Sequence, residues 1–273
     1  MSYREPEEKY AVITGASMGL GREMAFELAA RGVNLLLVSL ENESLEEVCS
    51  QVKKKGIKAD YFETDLTTKN NILELTGRIK ENYNVNILVN NAGIGGSSKF
   101  ENTEISYIEK IINLNIRATV LIIHQLLPEL KRNAPSYILN VSSMAAFSPI
   151  GYKTIYPASK VFINHFTKGL NEELKGTGVS ASVVNPGPMR TNEYVTGRIN
   201  KHGMLGKIGV ESPGKVAHIA IGKMFKHRGS FMASWSNRFS LLIIKLLPSS
   251  LTLPVLTRAM KKDAGEQKKT IPG

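Results

Sequence analysis

Tyr10-Ala-Val-Ile-Thr-Gly15-Ala-Ser-Met-Gly19-Leu-Gly21 is a short apolar run that ends in three closely spaced glycines and leads into Arg22-Glu-Met-Ala-Phe-Glu-Leu-Ala-Ala30. The run has the length and continuity of a strand buried on both faces. The stretch after it reads as a helix over Gly21–Ala30, with Gly32 placed to close it. That order suits phosphate. Glycines let the backbone turn tightly and approach a pyrophosphate, and the helix N-terminus offers unpaired N–H groups and its positive end. The spacing is G-x-x-x-G-x-G, which departs from the usual G-x-G-x-x-G fingerprint. A turn of this kind also serves as a plain tight connection.

Working outward, Val33–Ser39, Ala59–Thr64, Asn86–Asn90, Tyr137–Val141 and Val179–Asn185 read as further strands, and Ser230–Trp235 as a last edge strand. Helices are expected at Glu43–Lys55, Ile72–Asn82, Glu104–Arg132 and Pro157–Lys175, and one opens at Ser212-Pro213 with a cap and a first-turn proline. Such alternation demands an α/β fold: a doubly wound, mainly parallel sheet with right-handed crossovers and helices on both faces. Leu35-Leu-Leu-Val38 and Ile87-Leu-Val89 have the unbroken apolar character of doubly covered strands. Residues 1–237 are expected to form one domain and 238–273 a helical extension. The polar, glycine-bearing segment Thr191–Val210 is expected to be a mobile loop at a strand's carboxyl end, where ligands bind in such sheets.

The chain has 273 residues, 42% hydrophobic and 22% charged, ordinary values for a globular protein with a full core. The lone Cys49 has no partner in the chain, which suits a reducing compartment. The charged N-terminus lacks the apolar core of a secretory signal, and no run of eighteen apolar residues predicts a spanning helix. These features suggest a cytoplasmic location. Most of the net charge of +11 lies from Lys223 onward, where ten Lys and Arg meet two acids. The basic residues flank apolar runs instead of forming an aromatic-interleaved groove, so no nucleic-acid partner is expected. His124 and His165 have no companion at metal spacing, and no metal site is predicted.

Tyr156 and Lys160, in Tyr156-Pro-Ala-Ser-Lys160, stand one above the other on a helix face. A phenol of pKa about 10 is a poor base at neutral pH. A nearby ammonium favours the phenolate, so Tyr156 is expected to exchange a proton with a substrate oxygen while a hydride moves. Ser143, delivered by the strand Tyr137–Val141, is placed to hydrogen-bond the same oxygen.

With Thr14-Gly-x-x-x-Gly-x-Gly21, Asn90-Asn-Ala-Gly93, Asn115, Ser143, Tyr156-x-x-x-Lys160 and Pro186-Gly187 in this order, the chain resembles the short-chain dehydrogenase/reductase family over roughly residues 8–235. The resemblance implies a Rossmann-like domain and a proton relay through Tyr156, Lys160 and Asn115, with Ser143 as the fourth catalytic residue. It also implies an NAD or NADP cofactor. The implied contacts are Gly15, Ser17, Met18, Gly19, Leu20 and Gly21 in the first turn, Leu40, Asp65 and Leu66 around the adenosine, and Asn91, Ala92 and Gly93. Pro186, Gly187 and Thr191 join Tyr156 and Lys160 at the nicotinamide end. The family commonly associates through its two long helices, which implies a homodimer or homotetramer.

The end of the second strand discriminates the two cofactors, because an acid there binds a ribose 2′-OH and an arginine a 2′-phosphate. Here the aligned residue is Leu40, which is neither. Glu41 lies one residue late and would repel a 2′-phosphate if it turned inward, a slight preference for NAD; it also reads as the start of the next helix. The tail Phe239-Ser-Leu-Leu-Ile-Ile-Lys-Leu-Leu-Pro248 and Leu251-Thr-Leu-Pro-Val-Leu-Thr-Arg-Ala-Met-Lys-Lys262 is both apolar and basic. Pro248 and Pro254 are expected to break it, and Trp235 to pack at the last strand. It fits a peripheral membrane contact, a cover for the substrate pocket or a dimer interface. A similar tail occurs in family members that act on lipid-like ketones, which implies an apolar ketone or alcohol such as a steroid or a long 3-ketoacyl chain. The rival reading is a membrane-peripheral protein that holds the nucleotide without catalysis.

Overall fold

The computed structural model describes residues 8–189, 210–226, 229–246 and 249–267. Seven strands form one sheet: β1 (Lys9–Thr14), β2 (Asn34–Ser39), β3 (Ala59–Glu63), β4 (Asn84–Asn90), β5 (Ser136–Val141), β6 (Val179–Asn185) and β7 (Gly229–Met232). Their order is β3-β2-β1-β4-β5-β6-β7, and every pairing is parallel. The expected fold is thus present. The strand sequence reverses between β1 and β4, which opens a crevice at their carboxyl ends.

Alternate residues on each strand supply two cores. On one face Ala11, Ile13, Leu35 and Leu37 meet α1 (Gly19–Ala30), α2 (Leu45–Lys53) and α7 (Pro213–Met224). On the other, Val12, Leu36, Val38 and Leu88 meet α3 (Lys69–Asn82) and α5 (Thr119–Arg132), with α6 (Ile155–Glu173) beside them. Truncating any of these fully buried leucines to alanine costs about 2–5 kcal/mol.

The predicted helix over 104–132 is continuous but composite: α4 (Ile105–Ile112), a π-helical segment (Asn113–Ala118) and α5. By length and composition it could cross a bilayer. Yet Ile122, Ile123, Leu126 and Leu130 are buried in the core on this face of the sheet, which is the burial of a core helix. Helix α2 starts two residues later than expected, because Asn42 and Ser44 adopt left-handed backbone angles (φ 62° and 57°).

Two expectations about the tail are corrected. Strand β7 ends at Met232, and Trp235 opens α8 (Trp235–Leu246) with 83% of its surface exposed, so it does not pack at the strand. Pro254 lies inside α9 (Ser249–Gln267) instead of ending it. A proline in the second turn forfeits one intrahelical hydrogen bond, and the helix runs on. The Thr191–Val210 loop, Val210 excepted, lies outside the described residues.

Candidate active site

The glycine turn after β1 is shaped by steric contact. A Cβ on Gly21 would sit 2.0 Å from the Gly15 carbonyl oxygen and 2.4 Å from Asn91 Nδ2. Gly15 has φ +65° and faces Ala92 at similarly short range. Asn91 braces this turn: its Nδ2 donates to the carbonyls of Thr14 and Gly15, each at 3.0 Å. Thr14 Oγ1 in turn accepts from the backbone N–H of Asn91 and Ala92. Predicted as a cofactor contact, Asn91 spends its amide on holding the loop. Among the described residues no side chain caps the N-terminus of α1, so the N–H groups that follow Met18 can receive an anion. Gly19 sits in the left-handed region and Leu20 is buried.

Beyond β2 and β3 lies an open cleft of about 730 Å³ lined by Leu40, Glu41, Thr64 and Asp65 among others. Asp65 is held by Thr67, whose N–H and Oγ1 both donate to its carboxylate at 2.8 Å, and Leu66 is buried beside it. The acid that turns toward the glycine loop is Glu43, not Glu41. Ser17 Oγ donates to Glu43 Oε2 at 2.7 Å, and Ser39 Oγ contacts the same oxygen. The cleft of Leu40, Glu41, Thr64 and Asp65, which Glu74 and Arg78 also line, is large enough for an adenosine. The backbone cradle at the α1 N-terminus can receive a pyrophosphate, so the residues present fit a dinucleotide.

The proton-handling residues come from three elements. Ser143 follows β5, and a short 3₁₀ turn (Met144–Phe147) begins at it, with Ser143 Oγ accepting from Ala145 N–H at 3.1 Å. Helix α6 carries Tyr156 and Lys160. The Ser143 hydroxyl lies near enough to the Tyr156 phenol to favour its ionised form. Lys160 is buried, donates to the Val141 carbonyl at 2.9 Å and lies 5.8 Å from the Tyr156 ring centre. Asn115 sits in the π segment, where the extra residue per turn turns its side chain into the sheet crevice. It exchanges two 2.9 Å hydrogen bonds with the backbone of Ile94 and donates to Ser159 Oγ at 3.0 Å. Ser159 donates on to the Tyr156 carbonyl. Pro186 accepts from Met144 N–H at 2.9 Å, and Gly187 faces Asn237 of α8. Thr191 lies outside the described residues.

Sequence reasoning missed three neighbours of Tyr156. Ser159 carries the link from Asn115. Lys153 places its ammonium 4.7 Å above the phenol ring. Gly95 lies flat against the ring, and a Cβ there would meet Tyr156 Cδ2 at 2.4 Å. Only the unexplained Gly95-Gly96 pair after Asn90-Asn-Ala-Gly93 pointed to the last of these.

Electrostatics differ from the sequence-based expectation. Burial raises the Tyr156 phenol above its ordinary value, and the Ser143 hydroxyl is the group that opposes this. Burial also brings the Lys160 ammonium down from 10.5 to about 8. The folded chain therefore releases the Lys160 proton before the unfolded chain does. Below about pH 8 the buried charge is a fixed cost, and folding gains as pH rises from there toward 10.5. Melting curves of the wild type and Lys160→Met across this window should show the wild type gaining on the variant. Parallel curves would place Lys160 in water.

Known proteins agree with this geometry. Residues 9–200 match the family model for short chain dehydrogenases. An uncharacterised oxidoreductase of Staphylococcus saprophyticus is 33% identical over 189 residues, covering 68% of this chain and 81% of its own. The ketoacyl reductase HetN of Nostoc is 30% identical over 241 residues, 88% of this chain and 83% of its own. A short-chain dehydrogenase from Sphingobium yanoikuyae, solved in complex with NADPH, superposes with a TM-score of 0.75 at 26% identity, over 86% of this chain and 92% of that one. The chain belongs to the short-chain dehydrogenase family and is an NAD(P)-dependent oxidoreductase.

Proposed function

We propose that this enzyme interconverts an apolar ketone and its secondary alcohol, steroid-like or a long 3-ketoacyl chain. The nicotinamide cofactor supplies or accepts the hydride. Tyr156 gives its proton to the carbonyl oxygen in reduction and takes one back in oxidation. Ser143 holds that oxygen, while Lys160, Asn115 and the chain from Asn115 through Ser159 position Tyr156 and its proton. The observation that carries this is the convergence on one phenol: Tyr156 packs on Gly95, Lys160 Nζ lies 5.8 Å from its ring centre, and Ser143 is near enough to favour its ionised form. Similarity to the ketoacyl reductase HetN supports the substrate class. A full set of proton-handling side chains weighs against a protein that merely stores the nucleotide. Turnover with a panel of apolar ketones and both cofactors tests the proposal; no oxidation of either cofactor with any ketone would overturn it.

NAD(H) is the proposed preference. Leu40 offers no cation to a 2′-phosphate, and the Glu43 carboxylate faces the Ser17 and Ser39 hydroxyls. The expected result is a kcat/KM higher with NADH than with NADPH, and Leu40→Arg should shift the ratio toward NADPH by about tenfold or more. Equal use of both cofactors by the wild type would refute it.

A homodimer or homotetramer through the long helices is proposed as well. In support, Ile112 of α4 and Phe162 of α6 are exposed, and Phe162 stacks on Phe166. Residues 238–273 are proposed as an extension of the catalytic domain 1–237. The location proposed is cytoplasmic, with peripheral membrane contact through the extension.

A further inference from the structure

We propose that α8 and α9 are a bilayer-docking roof, specific for anionic lipid, built over the substrate entrance; this rests on the apolar-ketone reading above. Trp235, Phe239, Leu242 and Leu246 stand at i, i+4, i+7 and i+11, one face of a helix. All four are more than half exposed, from 53% at Leu242 to 83% at Trp235. A stripe of this size in water signals a binding surface.

The orientation of α8 is fixed from beneath. Asn237 is buried, donates to Glu211 Oε2 at 3.2 Å and fills the space above Gly187. Helix α9 is fixed in the same way. Thr257 Oγ1 accepts from Gly151 N–H at 3.1 Å, and Met260 Sδ lies 3.7 Å from Ser97 Oγ. Ser97 and Gly151 belong to the segments that border Tyr156. Their neighbours Gly96, Ser98 and Tyr152 line the cavity beside Tyr156, which is about 20 Å³, room for about one water molecule.

The occupant follows from charge. Val255, Arg258 and Lys261 are exposed on α9, and Arg238 is exposed on α8. From Lys223 onward ten basic residues meet two acids. A second copy of the chain would set these cations against each other. Anionic headgroups attract them, while tryptophan and leucine enter the interface. An apolar ketone dissolved in that bilayer would reach the rim at Ser97 and Gly151 without crossing water.

Trp235 is the sole tryptophan of the chain, so intrinsic fluorescence reads this face directly. Mixed phosphatidylcholine–phosphatidylserine vesicles should shift its emission to the blue, and brominated acyl chains should quench it. Binding to phosphatidylcholine alone should be about tenfold weaker or less. The double variant Phe239→Glu, Leu242→Glu should stop floating with anionic vesicles while keeping wild-type turnover of a water-soluble ketone in their absence. Unmoved wild-type emission, or a double variant that floats like the wild type, would overturn the proposal. So would a double variant that merely turns a dimer into a monomer while the wild type ignores vesicles, which would assign the face to a second copy. Failure of the soluble-ketone assay in the wild type strikes the redox reading instead and leaves the vesicle result standing.

Discussion

Tyr156→Phe is expected to lower kcat by about 10²–10⁴-fold, the usual contribution of a positioned proton donor, and to leave nicotinamide cofactor affinity within a few-fold. The phenol oxygen is the group that meets Ser143, and nothing else on α6 replaces it. The ring itself stays, so Gly95 and Lys153 keep their packing partner. The fold and the cofactor recess should survive, as circular dichroism and cofactor fluorescence titration would show. Because burial raises the Tyr156 phenol, the dehydrogenase direction should speed up as pH rises into the alkaline range, and that limb should vanish in the variant. A variant that turns over like the wild type removes Tyr156 from the reaction.

Gly21→Ala should abolish tight cofactor binding and destabilise the fold together. The added methyl would lie 2.0 Å from a carbonyl oxygen that cannot swing away, because Asn91 grips it. Helix α1 must retreat from the turn, and overpacking of this kind costs about 1–3 kcal/mol or more. The gain in helix propensity from glycine to alanine, about 1 kcal/mol, offsets part of it. We expect a melting point lower by several degrees and cofactor affinity reduced at least about tenfold, as the N–H groups at the head of α1 move off the pyrophosphate. Gly77→Ala in α3 is the control. It meets nothing within 4 Å and should stabilise slightly. A Gly21→Ala protein that binds cofactor as the wild type does would show that the turn is only a connection.

The fold was legible because parallel strands covered on both sides must be unbroken apolar runs, and Leu35–Val38 and Ile87–Val89 are. The spacing of Tyr156 and Lys160 was legible because a helix repeats every 3.6 residues. What stayed hidden depends on contacts between distant segments. The π segment at Asn115 has no glycine or proline to announce it. The late start of α2 follows from left-handed Asn42 and Ser44, which the pull of Ser17 and Ser39 on Glu43 accompanies. The exposure of Trp235 reflects how Asn237 anchors α8, and nothing local reveals that. The ionisation of Tyr156 went the other way from expectation because desolvation raises the phenol more than the Ser143 hydroxyl lowers it.

Gly93 has a consequence for how the site changes under mutation. A methyl there would stand 3.1 Å from Asn115 Oδ1 and 3.3 Å from Lys160 Nζ, so one missing side chain sets the clearance for two others. Losses at Gly93, Asn115 and Lys160 will therefore not add up as independent terms. Evolution or engineering can alter this corner only by replacing the three as a unit.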